Sequence, residues 1–273
     1  MKLALILWLA AVGLARKPPP GGWPAPPAQA RVVSVYDGDT MTLETGDKIR
    51  LKWVNTPEMR PLEPFAKEAQ AFAERFVLQE TVELVLSGPN PRDSYGRVLA
   101  GIRAPRGDLS EALLRQGYAH LFVIPPDDAD EARLLAAEAE ARSQRLGIWS
   151  TPGMQGGFHI TSFHANAAGD DNENVNGEYL RICNISGKPA DLGGHRLMDL
   201  SGTSHTLASV VIPPGHTVMV RSGRGQDQTD PAEQLVIHLG SDTPLWNNTE
   251  EHVVLYDPRG RSIDERRHKG SRR

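Results

Sequence analysis

Residues 150–157 read Ser-Thr-Pro-Gly-Met-Gln-Gly-Gly. Such a stretch builds no core, and the hydrophobic patterning on its two sides obeys different rules. On the N-terminal side, short apolar or β-branched runs occupy 31–36, 40–44, 48–54, 81–87, 98–103 and 119–124. Turn signals bound them: Asp37-Gly38, Thr45-Gly46-Asp47, Gly88-Pro89-Asn90 and Tyr95-Gly96. Three helices are expected here. Residues 63–78 place Phe65, Ala69, Phe72 and Phe76 on one face, 109–116 end at Gly117, and 128–146 stop at Gly147. Strands first, with helices inserted and appended, predict an α+β barrel, not alternating βαβ units. On the C-terminal side, candidate strands at 158–163, 179–184, 195–198, 217–221, 235–239 and 253–256 alternate with Gly, Asn, Asp and Pro turns. With no long helical period, that half predicts an all-β sandwich. The chain therefore divides into domains at 31–150 and 157–262, joined by a linker at 151–156.

The two ends carry their own signals. Met1-Lys2 precedes an apolar run from Leu3 to Ala15, followed by Arg16-Lys17. This matches a secretory signal cleaved after Ala15, and the run is too short for a comfortable membrane span. An uncleaved N-terminal anchor is the alternative. The folded part is expected outside the cytoplasm, secreted or in the cell envelope, as a monomer with no membrane span. Residues 16–30, rich in Pro, Gly and Ala, read as a linker. Residues 263–273, with Arg266-Arg267-His268-Lys269, read as a disordered basic tail. The single cysteine, Cys183, excludes an intramolecular disulfide and is expected to be a small buried apolar residue.

Residues 37–58 and 93–97 gather an unusual set of polar groups. Asp37-Gly38-Asp39-Thr40 lies at a strand-to-strand turn, and Arg50 stands near the start of the next strand. Asn55-Thr56-Pro57-Glu58 follows where that strand ends, and Asp93-Ser94-Tyr95-Gly96-Arg97 forms another turn. Singly, each has a bland reading, since Asp-Gly is a favoured hairpin turn anyway. Jointly they meet the demands of phosphodiester hydrolysis. That reaction needs a carboxylate near the attacking water, oxygen ligands for a hard cation, and guanidinium groups for the equatorial oxygens. Charge argues mildly the other way. The chain carries a net charge of −4, and residues 31–150 hold 15 Lys/Arg against 19 Asp/Glu. Attraction for a polyanion must come from a local cluster.

In this order these pieces resemble the staphylococcal nuclease (thermonuclease) family. The matching stretches are Val35-Tyr36-Asp37-Gly38-Asp39-Thr40, Ile49-Arg50-Leu51, Val54-Asn55-Thr56-Pro57-Glu58, Asp93-Ser94-Tyr95-Gly96-Arg97, 111–117 and Gly147-Ile148-Trp149-Ser150. The resemblance covers nearly all of 31–150. It implies an OB-fold five-stranded β-barrel with three helices. It also implies calcium-assisted cleavage of DNA and/or RNA that leaves 3′-phosphate ends. By the same resemblance, Asp39 would be a calcium ligand and Thr56 would offer its main-chain carbonyl. Asn55 would stand where the family usually has a second aspartate, and Asp37 would sit behind the ligands. Glu58 would orient or deprotonate the water, while Arg50 and Arg97 would hold the phosphate. Three departures are visible. Asn55 removes one negative charge from the ligand set. The family's substrate-contacting tyrosines have no counterpart in Leu121-Phe122-Val123-Ile124-Pro125. The domain is acidic where well-known members are basic.

In the C-terminal half, 178–184, Asp191-Leu192-Gly193-Gly194 with Met198-Asp199, Pro213-Pro214-Gly215, Trp246-Asn247-Asn248 and Leu255-Tyr256-Asp257 resemble the lamin-tail domain. That implies an immunoglobulin-like sandwich serving as a binding or tethering module, with a cell-surface or matrix ligand. Trp246 and Tyr179 are expected to pack, and Asp170-Asp171-Asn172-Glu173-Asn174 to form a solvated loop. Eight of the nine histidines lie from His159 onward without metal-like spacing, so no zinc site is assigned. Two other functions stay open at this stage: a non-catalytic nucleic-acid-binding protein on a degenerate nuclease fold, and an envelope adhesion protein whose barrel is vestigial.

Overall fold

A computed structural model describes residues 18–19, 22–87, 91–126 and 130–270. The expected signal segment lies outside the described residues, as do 271–273. The first domain runs β1 (Gln29–Val35), β2 (Thr40–Leu43), β3 (Lys48–Leu51), β4 (Val54–Asn55), α1 (Ala66–Val77), β5 (Thr81–Leu86), β6 (Val98–Ala104), β7 (Gly107–Asp108), α2 (Leu109–Arg115), β8 (His120–Leu121) and α3 (Glu131–Ser143). Strands pair in the order β3-β2-β1-β5-β6, and a parallel β3–β6 pairing closes the ring. The result is the five-stranded OB-fold barrel with three helices. Alternation drives it: Met41, Leu43, Ile49, Leu51, Val98, Ala100 and Ile102 point inward and are buried, while their neighbours face out, except Gly101, which is covered by the Trp53 ring. Helix α2 lays buried Leu109, Leu113 and Leu114 against this core. Its N-cap Asp108 accepts the Glu111 N–H at 3.0 Å.

The expected boundaries move in three places. The Pro-rich segment is not a free linker over its described C-terminal part. Arg92 stacks on the Trp23 ring at 5.2 Å and donates to the Pro24 carbonyl, Leu84 N donates to Ala28 O, and β1 begins at Gln29. The third helix, expected over 128–146, runs Glu131–Ser143 with Asp130 as its cap, and it ends early because Arg145 turns left-handed at φ 52°; residues 128–129 lie outside the described residues. Gly147 then crosses Gly117 so closely that a Cβ there would sit 2.0 Å from the Gly117 carbonyl oxygen.

The third correction concerns the tail. The second domain contains β9 (Phe158–His164), β10 (Tyr179–Asn184), β11 (Ala190–Asp191), β12 (Arg196–Met198), β13 (Ser204–Thr206), β14 (Val211–Ile212), β15 (Thr217–Gly223), β16 (Leu235–Ser241), β17 (Glu250–Tyr256) and β18 (Ser262–Lys269). Four-stranded sheets β16-β15-β10-β9 and β13-β12-β17-β18 enclose a core that includes Ile160, Leu180, Ile182, Val218, Val220 and Leu255. The segment read as a disordered tail is thus, through Lys269, an antiparallel edge strand on β17. Its ladder bonds to β17 outweigh its poverty in apolar residues. Trp246 is buried, with its ring edge-on to Phe163, and Tyr179 stacks on His164.

The two domains share a core. Ala141, Ile148 and Trp149 from the first pack with Cys183 and Ile185 from the second. Hydrogen bonds cross the seam: the Val123 backbone N donates to Gly215 O at 2.8 Å, and the Arg142 side-chain Nη1 donates to Ile185 O at 2.6 Å. Residues 151–156, read as a linker, carry a 3-10 turn at Pro152–Met154, and Met154 packs on this cluster. Beneath the seam lies Glu138, 1% exposed, accepting the Leu121 N–H at 2.8 Å.

Burial pushes the Glu138 carboxyl up from 4.5 to about 7, against the pull of the Leu121 N–H and Arg142. The fold therefore favours the protonated acid. Its contribution is present below 4.5 and is lost as pH rises through about 7. At roughly 1.4 kcal/mol per pH unit, ionisation costs up to about 3 kcal/mol above that range. Glu138→Gln keeps the acceptor and never ionises. Urea denaturation is expected to find the variant more stable than wild type at pH 8.5 and little changed at pH 5. Equal differences at both pH values would show that Glu138 does not titrate in this window.

Candidate active site

The turn between β1 and β2 and the corner between β3 and β4 meet at one end of the barrel. Gly38 permits the meeting: a Cβ there would lie 2.6 Å from Thr56 Cγ2 and 3.0 Å from Ala69 Cβ. This glycine is required by close approach, since its backbone is not left-handed. Asp37, 5% exposed, accepts the N–H groups of Asp39 at 3.0 Å and Thr40 at 2.6 Å and so shapes the turn. Asp39, equally buried, accepts Thr56 N at 2.9 Å and Thr56 Oγ1 at 3.0 Å through one oxygen.

Arg50 is the hub. Its Nη1 donates to the carbonyls of Leu51 at 2.5 Å and Val54 at 2.9 Å, tying off the corner where Trp53 takes φ 67°. Its Nη2 donates to Asn55 Oδ1 at 2.8 Å and lies 3.3 Å from Asp39 Oδ2. One guanidinium thus holds the backbone corner with one end and both expected side-chain ligands with the other. Its plane also lies over Phe122, 5.9 Å from the ring centroid.

Glu58 is half-buried beyond the corner. Burial first, then the charges of Asp39 and Glu63, push its carboxyl up, while Arg266 and Arg50 pull it down. Asp37 is raised well above the usual carboxylate range, by burial and then by Asp39. Four carboxyls, Asp37, Asp39, Glu58 and Glu63, face two guanidinium groups, Arg50 and Arg266, and the raised carboxyls of Asp37 and Glu58 mark a crowding of negative charge that an added cation relieves. The donor chemistry fits a hard cation: a carboxylate at Asp39, an amide oxygen at Asn55 and a carbonyl at Thr56, all oxygen. Among the described residues no three His, Cys, Asp or Glu side chains cluster as a metal site.

The structure brings Asp37, Asp39, Arg50, Asn55 and Thr56 into one bonded network, with Glu58 within reach of its charges. It does not bring Arg97 into that network. Arg97 Nε is paired with Asp93 Oδ2 at 2.7 Å, and its guanidinium lies over Tyr95. The register keeps it nearby, because Leu99 pairs with Arg50 and Arg97, two residues earlier, lies on the same outward face. Sequence reading missed Glu63 and Arg266. Glu63 Oε2 accepts the Glu58 N–H at 2.8 Å, and Arg266 pairs with Glu63 Oε1. The signal for Arg266 was the turn Asp257-Pro258-Arg259-Gly260, which announces a hairpin and hence a strand after it.

Both halves of the chain match known protein families. The family model described as Staphylococcal nuclease homologue matches residues 48–151, and the Lamin Tail Domain model matches 154–270. Thermonuclease of Staphylococcus intermedius is 30% identical over 125 residues, covering 43% of this chain and 74% of that protein. Thermonuclease of Staphylococcus hyicus is 30% identical over 127 residues, covering 44% and 75%. Endonuclease YncB of Bacillus subtilis (strain 168) is 30% identical over 145 residues, covering 48% and 69%. The family match begins at Lys48, but the barrel it belongs to begins earlier, with β1 and β2.

Proposed function

The chain belongs to the staphylococcal nuclease homologue family, and from that premise we propose that it is a secreted, calcium-dependent nuclease. It hydrolyses phosphodiester bonds of DNA and/or RNA to leave 3′-phosphate ends, and its sandwich is a binding or tethering module for a surface or matrix ligand. The observation that carries the reading is the Arg50 network, which presents Asp39 and Asn55 together beside a half-buried Glu58. The secreted location rests on the Met1-Lys2 start and the apolar run to Ala15.

Each residue has a defined task. Asp39, Asn55 and the Thr56 carbonyl would hold calcium, which supplies positive charge against the phosphate. Glu58 takes a proton from the attacking water. Among the described residues no hydrogen-bond donor occupies its carboxylate, so that group is available as a base. Arg50 Nη1 is committed to two carbonyls, so Nη2 is the half of the guanidinium for which a phosphate oxygen competes. Arg97 reaches the phosphate by exchanging Asp93 for it, a swap between two anionic partners of the same fork.

The test is degradation of single- and double-stranded DNA and of RNA at low salt, with calcium and then with a chelator. Calcium-dependent cleavage with 3′-phosphate products supports the reading. A folded protein that binds DNA without cutting it would favour the non-catalytic alternative. Asn55→Asp is expected to tighten calcium by restoring one charge to the ligand set, roughly tenfold for a partly buried site. Isothermal titration would show it, and an unchanged affinity would remove Asn55 from the ligands.

A further inference from the structure

Arg266 belongs to β18 of the second domain, yet its Nη1 is paired with Oε1 of Glu63 in the first, 203 residues away in sequence. The other oxygen of Glu63 accepts the Glu58 N–H at 2.8 Å, and Glu63 N donates back to the Glu58 carbonyl at 2.9 Å. The backbone of Glu58 is therefore clamped at both polar groups by one residue, and an arginine from the other domain fixes that residue's side chain.

Exposed ion pairs contribute little, but this one is not on open surface: the two side chains are 18% and 25% exposed. Nor is Arg266 on a loose end. β18 is laddered to β17 from Ser262 to Lys269, and Asp264 accepts the Ile160 N–H at 2.6 Å, pinning β18 to β9. A cleft of about 260 Å³ opens between the domains at this point. Asn55, Thr56 and Pro57 form one wall, and His159, Glu265 and Arg266 form the other.

We infer that Arg266 is a positioning residue for phosphodiester hydrolysis: the sandwich completes the nuclease site by locking Glu63 and, through it, the backbone of Glu58. The inference rests on Glu58 acting as the base. It gives the second domain a task at the reacting end of the molecule as well as at a tether.

The test uses the full chain with Arg266→Met, which keeps the packing of the stem and removes the charge, Arg266→Lys, and His216→Ala. The last removes a different contact across the same seam, with Glu131 at 3.1 Å. Arg266→Met is expected to lower kcat roughly tenfold with KM little changed, as a misplaced catalytic group does. Arg266→Lys should recover most of the loss, and His216→Ala should leave kcat unchanged. Amide hydrogen exchange at Glu58 should accelerate in Arg266→Met alone. Unaltered kcat, unaltered exchange, or an equal loss in His216→Ala would each overturn the inference. An inactive wild-type protein would instead overturn the nuclease reading, and the exchange measurement would still decide whether the clamp exists.

Discussion

Glu58→Gln is expected to lower turnover by about 10²- to 10⁴-fold while leaving the protein folded. The substitution is nearly isosteric and removes only the charge that accepts the proton from water. The loop around it depends on the Glu58 backbone, since Glu63 binds its N–H and donates to its carbonyl, and both bonds survive in the variant. The fold already resists the ionised form, because burial and the charges of Asp39 and Glu63 push the carboxyl up. Removing that charge should leave stability equal or slightly higher, so thermal denaturation and single-turnover cleavage are expected to move independently. Calcium affinity should fall only modestly, because Glu58 adds charge near the proposed cation site but is not among the expected ligands. A fully active Glu58→Gln protein would exclude Glu58 as the base. An unfolded one would mean that the carboxylate makes contacts beyond those seen here.

How far sequence leads is visible in the same neighbourhood. The strands β1 to β3, the turn at Asp37-Gly38 and the corner at Asn55-Thr56 were legible because local alternation and turn chemistry specify them. The grouping of Asp39, Arg50 and Asn55 was legible only as a resemblance. Nothing local says that the Gly38 turn must press on Thr56; the glycine is explained by a Cβ that would strike a side chain 18 positions away. The hub role of Arg50 was hidden for the same reason, since two of its four acceptors are backbone carbonyls that have no sequence signature. Arg266 was hidden more deeply. An arginine-rich terminus looks solvated by composition, and only its pairing with β17 makes it a wall of the site. Barrel pattern is local, whereas contacts between domains depend on how two finished surfaces meet.

Arg50→Lys is expected to cost both stability and catalysis, and the two losses have separable origins. The guanidinium divides four acceptors between two nitrogens: Leu51 O and Val54 O on Nη1, Asn55 Oδ1 and Asp39 Oδ2 on Nη2. An ammonium is a single point with three donors and cannot span that fork. At least one acceptor in this largely buried corner is left unsatisfied, which costs about 1–3 kcal/mol. Arg50→Ala strands Asp39 as well, for a total nearer 3–5 kcal/mol, because a buried charge loses its partner. Catalysis should fall further than stability suggests. Lysine keeps the positive charge, so loss of Coulomb attraction cannot explain a deficit in Arg50→Lys. What it removes is the planar arrangement that holds Asp39 and Asn55 side by side and offers Nη2 to a phosphate oxygen. Removing one preorganised donor of this kind lowers kcat by about 10²- to 10³-fold. The comparison is made on protein shown to be folded, by chemical denaturation followed by cleavage assays well below the midpoint. A folded Arg50→Lys protein with near-normal kcat would show that Arg50 serves only the corner of the barrel, and phosphate contact would then fall to Arg97.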